Sequence, residues 1–269
     1  MANRVARSMG LLCLATGALA CAQPDEAASP AALDVAAVTE NGLTENGLVF
    51  NGLVFNGLVF NGLVFNGLTT NGLIFNGLAP GGVNAGVLAD PASRQFLKYV
   101  VSCALDDQQS LSFSAGGTSY TFSGDLGLAP QWGKAHGSCD GSCQRWVSAC
   151  VLARIDAAGV DRQISVRGPN LALFPTWTEL AQYTQREATY FGNLFIPGQP
   201  RFLCLSPGQS EDQRVCGDSL SGCPMAVEGS CARDCAGRGL FGEFDLCSDT
   251  GRAGMGNTYL ESITVYLPR

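Results

Sequence analysis

The sequence predicts an α+β fold: a disulfide-rich C-terminal domain preceded by a short pentad repeat. Three observations carry that expectation. Apolar residues recur at helical spacing in some segments and at strand spacing in others. Helices and antiparallel hairpins follow one another in mixed order. Ten of the twelve cysteines lie from Cys103 onward. Only 14% of the 269 residues are charged, and the formal charge is −7. That balance argues against a nucleic-acid binder, because no basic excess is present to neutralise phosphates.

Residues 1–20 read as a signal peptide. Arg4 and Arg7 precede an apolar run, Met9 to Ala20, too short to remain as a membrane span. Ala18-Leu19-Ala20 then precedes Cys21. This resembles the bacterial lipobox, in which small residues admit the peptidase and the following Cys takes the lipid. The family pattern has Leu where Ala18 stands, and the same three residues also satisfy the A-x-A rule of plain secretion. Cysteine parity separates the two readings. Cys13 leaves with the signal. A lipidated Cys21 leaves ten cysteines, which can all pair; a free Cys21 leaves eleven in an oxidising compartment. Lipidation at Cys21 is therefore expected. Ala22 after it resembles the outer-membrane sorting choice, on the periplasmic or outer face. Secretion is the alternative. Cleavage removes two arginines, leaving 14 basic against 23 acidic residues and a formal charge of −9.

Residues 21–40 hold the lipidated Cys and an Ala-rich acidic linker with two prolines, which cannot bury enough apolar surface to order itself. Residues 41–80 form the repeat. Asn-Gly-Leu recurs at 41, 46, 51, 56, 61, 66, 71 and 76, and four copies from Asn46 to Phe65 are identical. A five-residue period flips successive repeats across a strand. It also advances a helix by about 500°, so no leucine stripe forms. The pattern resembles the pentapeptide-repeat solenoid, which turns a corner every pentad. It departs from it in having Asn at the small-residue position and Val-Phe after the Leu. A coil, a disordered spacer and a strand added to a sheet edge all stay open. Among them, docking of the repeat on its own C-terminal domain is the expectation. Asn-Gly-Leu pentads of this kind, followed by a Cys-rich domain, also resemble the N-termini of some bacterial surface lipoproteins. That resemblance implies no activity.

Residues 90–269 have the composition of a globular domain. Asp90-Pro91 starts a helix whose apolar face is Phe96, Leu97, Val100, Val101, Ala104 and Leu105. Ser110–Ala115 and Thr118–Ser123 alternate around Gly116-Gly117, a hairpin signal. A second helix is expected over Gln144–Ala157 and a strand over Arg162–Arg167. Thr176–Glu179 and Thr184–Glu187 read as capping boxes opening short helices that bury Trp177, Leu180 and Phe191. Arg201–Leu205 and Glu261–Leu267 read as strands, the last half-buried.

The ten cysteines Cys103, Cys139, Cys143, Cys150, Cys204, Cys216, Cys223, Cys231, Cys235 and Cys247 are expected as disulfides. If the first four pair among themselves and the last six likewise, the possible connectivities fall to about 45. The Cys-x3-Cys spacings of Cys139/Cys143 and Cys231/Cys235 do not suit a zinc site.

No metal and no cofactor are expected. His136 is the only histidine, so any imidazole mechanism must use it. Gly217-Asp218-Ser219-Leu220 spells the GDSL signature of a lipase and esterase family, but no histidine follows Ser219 to act as base. The order His136, Asp161, Ser219 resembles that of chymotrypsin-like proteases, without the glycines after the nucleophile. Gly137-Ser138-Cys139-Asp140-Gly141 imitates a nucleophile elbow, yet a paired cysteine cannot attack. Asp245 and Asp249 lack calcium-loop spacing. Of three tryptophans, Trp146 and Trp177 are assigned to helix faces and Trp132 is left free to be exposed. The expected function is a non-catalytic binding or structural module of the cell envelope. Its expected partners are the membrane, through the N-terminal lipid, and an envelope protein or glycan. The alternative is an exported serine hydrolase using Ser219, His136 and Asp161.

Overall fold

The computed structural model describes residues 53–55, 89, 91–134, 137–196 and 198–269. All belong to the second of two compact units, Met1–Asn41 and Gly42–Arg269. The expected signal, Cys21, the expected linker, most of the repeat, Asp90 and His136 lie outside the described residues.

The elements run β1 (Leu53–Phe55), α1 (Pro91–Ala104), β2 (Ser110–Ala115), β3 (Thr118–Ser123), α2 (Gly141–Ala153), β4 (Gln163–Arg167), α3 (Trp177–Gln182), β5 (Tyr183–Gly192), β6 (Arg201–Leu205), α4 (Gln213–Cys216), β7 (Ala226–Ser230), α5 (Cys231–Asp234), β8 (Cys235–Arg238), β9 (Phe244–Ser248), β10 (Thr258–Tyr259) and β11 (Ser262–Pro268). The fold is α+β. Its main sheet has the order β1-β4-β11-β5-β6-β7, antiparallel throughout except for β6 and β7. A second sheet, β10-β9-β8, and the β2–β3 hairpin complete it. Among the described residues, no helix is long and apolar enough to cross a membrane.

The period-two alternation of strands divides the main sheet into two faces. Ile164, Val166, Ala188, Tyr190, Leu203, Ile263 and Val265 join α1 and α2 in one large apolar cluster. Phe191 and Cys204, one residue out of phase, join Cys231, Cys235, Phe244, Cys247 and Tyr259 in a second. The sheet is thus a middle layer between two helices and a cysteine-rich cover.

Several elements form where local pattern places them. The expected α1 face is fully buried. In the β2–β3 hairpin, Gly116 and Gly117 take φ of 57° and 83°, a left-handed pair that suits glycine in a tight turn. Helix α2 starts three residues before the expected Gln144, because Asp140 caps it by accepting from the Cys143 amide at 2.9 Å. It ends at Ala153, four residues before the expected Ala157. The Thr176–Glu179 capping box is present, with both reciprocal bonds.

Other expectations fail. Thr184–Glu187 opens no helix. It lies in β5, where β11 and β6 pair along both edges and outweigh a four-residue local motif. Strand β11 is central, and Ser262 to Tyr266 are all buried. Trp177 is 87% exposed and Trp132 is fully buried, the reverse of the assignment. Trp132 packs edge-on against Phe195 at 5.6 Å, while on α3 it is Glu179 that turns inward.

All ten cysteines pair: Cys103–Cys150, Cys139–Cys143, Cys204–Cys231, Cys216–Cys223 and Cys235–Cys247. The first four and the last six pair within their own groups. Cys235 and Cys247 are also cross-strand partners of β8 and β9, so ladder and bond enforce the same register. The Cys231/Cys235 spacing makes no bond of its own; each joins a different strand.

Candidate functional site

Two neighbouring clefts flank the β8–β9 hairpin. The tip of that hairpin is built by short bonds: the Gly239 amide donates to Glu243 O at 2.9 Å, and the Phe241 amide to Glu243 Oε2 at 2.9 Å. The Tyr266 hydroxyl, from β11, donates to Phe241 O at 3.1 Å and ties the tip to the main sheet.

The first cleft, of about 420 Å³, is floored by Phe244 and walled by Arg186, Arg238, Pro207, Ala232 and Cys235. The guanidinium carbons of Arg186 and Arg238 stand 4.7 and 5.0 Å from the Phe244 ring centroid. Stacking of this kind orients planar cations and leaves their edge N–H groups for an acceptor. Arg186 donates through Nη1 to Gly242 O at 2.7 Å and also bonds the Tyr266 side chain; its Nε is buried and, among the described residues, has no hydrogen-bond partner. Among the described residues, no carboxylate is part of this cleft's lining. The second, of about 300 Å³, is apolar: Pro169, Leu171, Phe174, Leu240 and Phe241, with Glu243 at its margin. Leu171 and Leu240 are 80% and 90% exposed at its rim. A basic aromatic slot beside an apolar slot can hold an anionic group and an apolar group of one partner.

The most strongly perturbed groups lie elsewhere, sealed inside the protein. Arg214 is buried, donating to both Glu187 oxygens at 2.6–3.1 Å and to the carbonyls of Ala153 and Ile155. Burial alone would pull this guanidinium down, but Glu187 and Tyr190 hold it above its ordinary value. Tyr190 donates to Asp212, whose carboxyl is pushed up to about 6 by burial and by Glu187. This knot clamps the end of α2 to β5 and α4. Glu179 is pushed up to about 7 by burial, against the bond from Ser165 Oγ at 2.6 Å and the charge of Arg167. Arg167 stacks on Tyr266 at 3.8 Å and donates to the Tyr183 carbonyl.

The residues of the hydrolase alternative are placed as follows. Ser219 is exposed, in the loop closed by Cys216–Cys223, and its hydroxyl shares a hydrogen bond with Ser221 Oγ at 2.8 Å. Asp161 stands near Lys98 and Arg154; burial raises it and those cations oppose the rise. Among the described residues no hydrogen bond links Asp161 to Ser219. Cys139 is bonded to Cys143, so the elbow-like segment carries no thiol. Asp249 accepts from the Asn257 amide and side chain at 2.9 and 2.7 Å, as a turn carboxylate does. Among the described residues one group of three metal-ligating side chains converges, Cys204, Cys231 and Cys235, and two disulfides already hold those sulfurs.

Sequence reasoning missed the Arg186–Phe244–Arg238 slot. Its members come from three strands with no shared local motif. Reading Thr184–Glu187 as a helix start also put Arg186 on the wrong element. Comparison of the chain with family models, curated proteins and solved structures finds no match.

Proposed function

We propose that this protein is exported, anchored by lipid at Cys21 in the bacterial outer membrane, and serves as a non-catalytic binding module of the envelope. The observation that carries the reading is the closed set of five disulfides. Ten cysteines pair among themselves, so none of them remains for Cys21, which unmodified would be an odd thiol in an oxidising compartment; lipid on its sulfur resolves that parity. The disulfides also stabilise the layer that carries the Arg186–Phe244–Arg238 slot, where an acidic glycan or an acidic segment of an envelope protein is the fitting ligand class. The membrane is the second partner, through the lipid alone. The test is cell fractionation. Cys21→Ser should move the protein from the membrane to the soluble fraction. Equal membrane retention of both forms would overturn the proposal.

A further inference from the structure

Leu53-Val54-Phe55, from one Asn-Gly-Leu-Val-Phe pentad, pairs antiparallel with β4 in the register Leu53 to Ser165, Val54 to Ile164 and Phe55 to Gln163. On its other side β4 pairs with β11 through Ser165, Val166 and Arg167. Without β1, β4 would be the edge of the main sheet. Bare edges of this kind attract extended chains, because their unpaired amides and carbonyls offer a ready ladder.

The slot is short and the donors are many. β1 spans three residues of β4, so one triplet fills it. The sequence carries that triplet four times, at 48–50, 53–55, 58–60 and 63–65, each preceded by Asn-Gly. A shift of the repeat by one whole pentad puts the same residue types in the same register. A shift by any other number does not. A ladder built on main-chain bonds and identical side chains has nothing with which to tell the four copies apart. The loop from the seated Phe to Pro91 does change, from 40 residues for the first copy to 25 for the last. Closure depends only weakly on loop length, so this alters occupancy by about twofold across the set.

We propose that the edge of β4 paired by β1 is a strand-acceptor site for Leu-Val-Phe segments, and that all four copies of the chain's own repeat occupy it in turn. Each exchange moves five residues between the chain that precedes the seated triplet and the chain that follows it. Fully extended, five residues span about 17 Å. The repeat is thus a tether of adjustable reach, and the inference holds whether or not Cys21 carries lipid.

Backbone amide exchange in the full-length oxidised protein tests this, read within Gln163–Ser165. Proline removes the strand amide. Val54→Pro alone should leave protection within about twofold of the natural chain, since three copies remain. Proline at Val49, Val54, Val59 and Val64 together, with Ile74→Pro to silence the related fifth copy, should speed exchange at least tenfold. Added acetyl-Asn-Gly-Leu-Val-Phe peptide should restore protection to that variant, and the same peptide with Pro for Val should not. A photo-crosslinking side chain at Gln163 in the otherwise natural chain gives a second reading, with adducts expected on all four copies. Loss of protection with Val54→Pro alone, protection retained in the five-site variant, failure of the peptide to restore it, or adducts confined to residues 51–55 would each overturn the proposal.

Discussion

The two faces of the main sheet are held by different physics. On the helical face, α1, α2, Trp132 and the inward residues of β4, β5, β6 and β11 form one continuous apolar cluster. Burial of that kind is cooperative: each side chain depends on its neighbours for close packing. On the other face the apolar cluster is small, and four of its seven buried members are cysteines in two abutting disulfides, with Cys204 and Cys235 sulfurs 3.7 Å apart. That layer consists of short strands and glycine-rich turns with too little surface to bury. Covalent cross-links stabilise it by restricting the unfolded chain. The clefts lie on this second face, where loops are free to vary because packing does not specify them.

The largest effect is expected at Trp132. Trp132→Ala empties the helical side of its largest fully buried side chain, and a loss of about 3–5 kcal/mol in global stability is expected by denaturant titration. Removing Cys235–Cys247 by a double alanine substitution should cost about 2–4 kcal/mol. The distribution should differ. Faster amide exchange is expected within residues 226–259, with little change in α1 and α2. Uniform acceleration over both faces would contradict the division.

A third effect is pH-dependent. Glu179 has a carboxyl near pKa 7 when folded against 4.5 as its ordinary value. The native state therefore holds its proton more tightly than the unfolded chain. Its contribution is most favourable below about pH 4.5 and is lost as pH rises through 7, with a span of up to about 3 kcal/mol. Asp212, raised to about 6, acts in the same direction. Glu179→Gln should flatten the stability profile between pH 5 and pH 8, measured by thermal melts. An unchanged slope would show that the carboxyl ionises freely. The smallest effect is at Trp177, 87% exposed: Trp177→Ala should change stability by less than about 0.5 kcal/mol.

The contrast between the two tryptophans also marks where the sequence stops being readable. Helix α1, the β2–β3 hairpin, β4 and β6 follow from periodicity and turn residues within the segment itself. The Thr176 cap does too, since both partners lie three residues apart. Trp132 is buried by Phe195, more than sixty residues away, and nothing near Trp132 announces that contact. Thr184–Glu187 carries a genuine capping pattern that two flanking strands overrule. The cysteine set was readable as a framework, because parity and grouping limit the pairings, although the partners within each group were not. The Arg186–Phe244–Arg238 slot is assembled from separate strands by the sheet, so no local signal carried it.

Five disulfides use all ten domain cysteines, and lipid is the proposed fate of Cys21. Intact mass of the mature protein, purified from membranes without reductant and treated with an alkylating reagent, tests both halves in one measurement. The expected product is a chain beginning at Cys21, heavier by a diacylglyceryl group and lighter by the ten hydrogens of five disulfides, with no alkyl adduct. A chain beginning at an unmodified Cys21, or one that takes up alkyl groups on two or more domain cysteines, would contradict it.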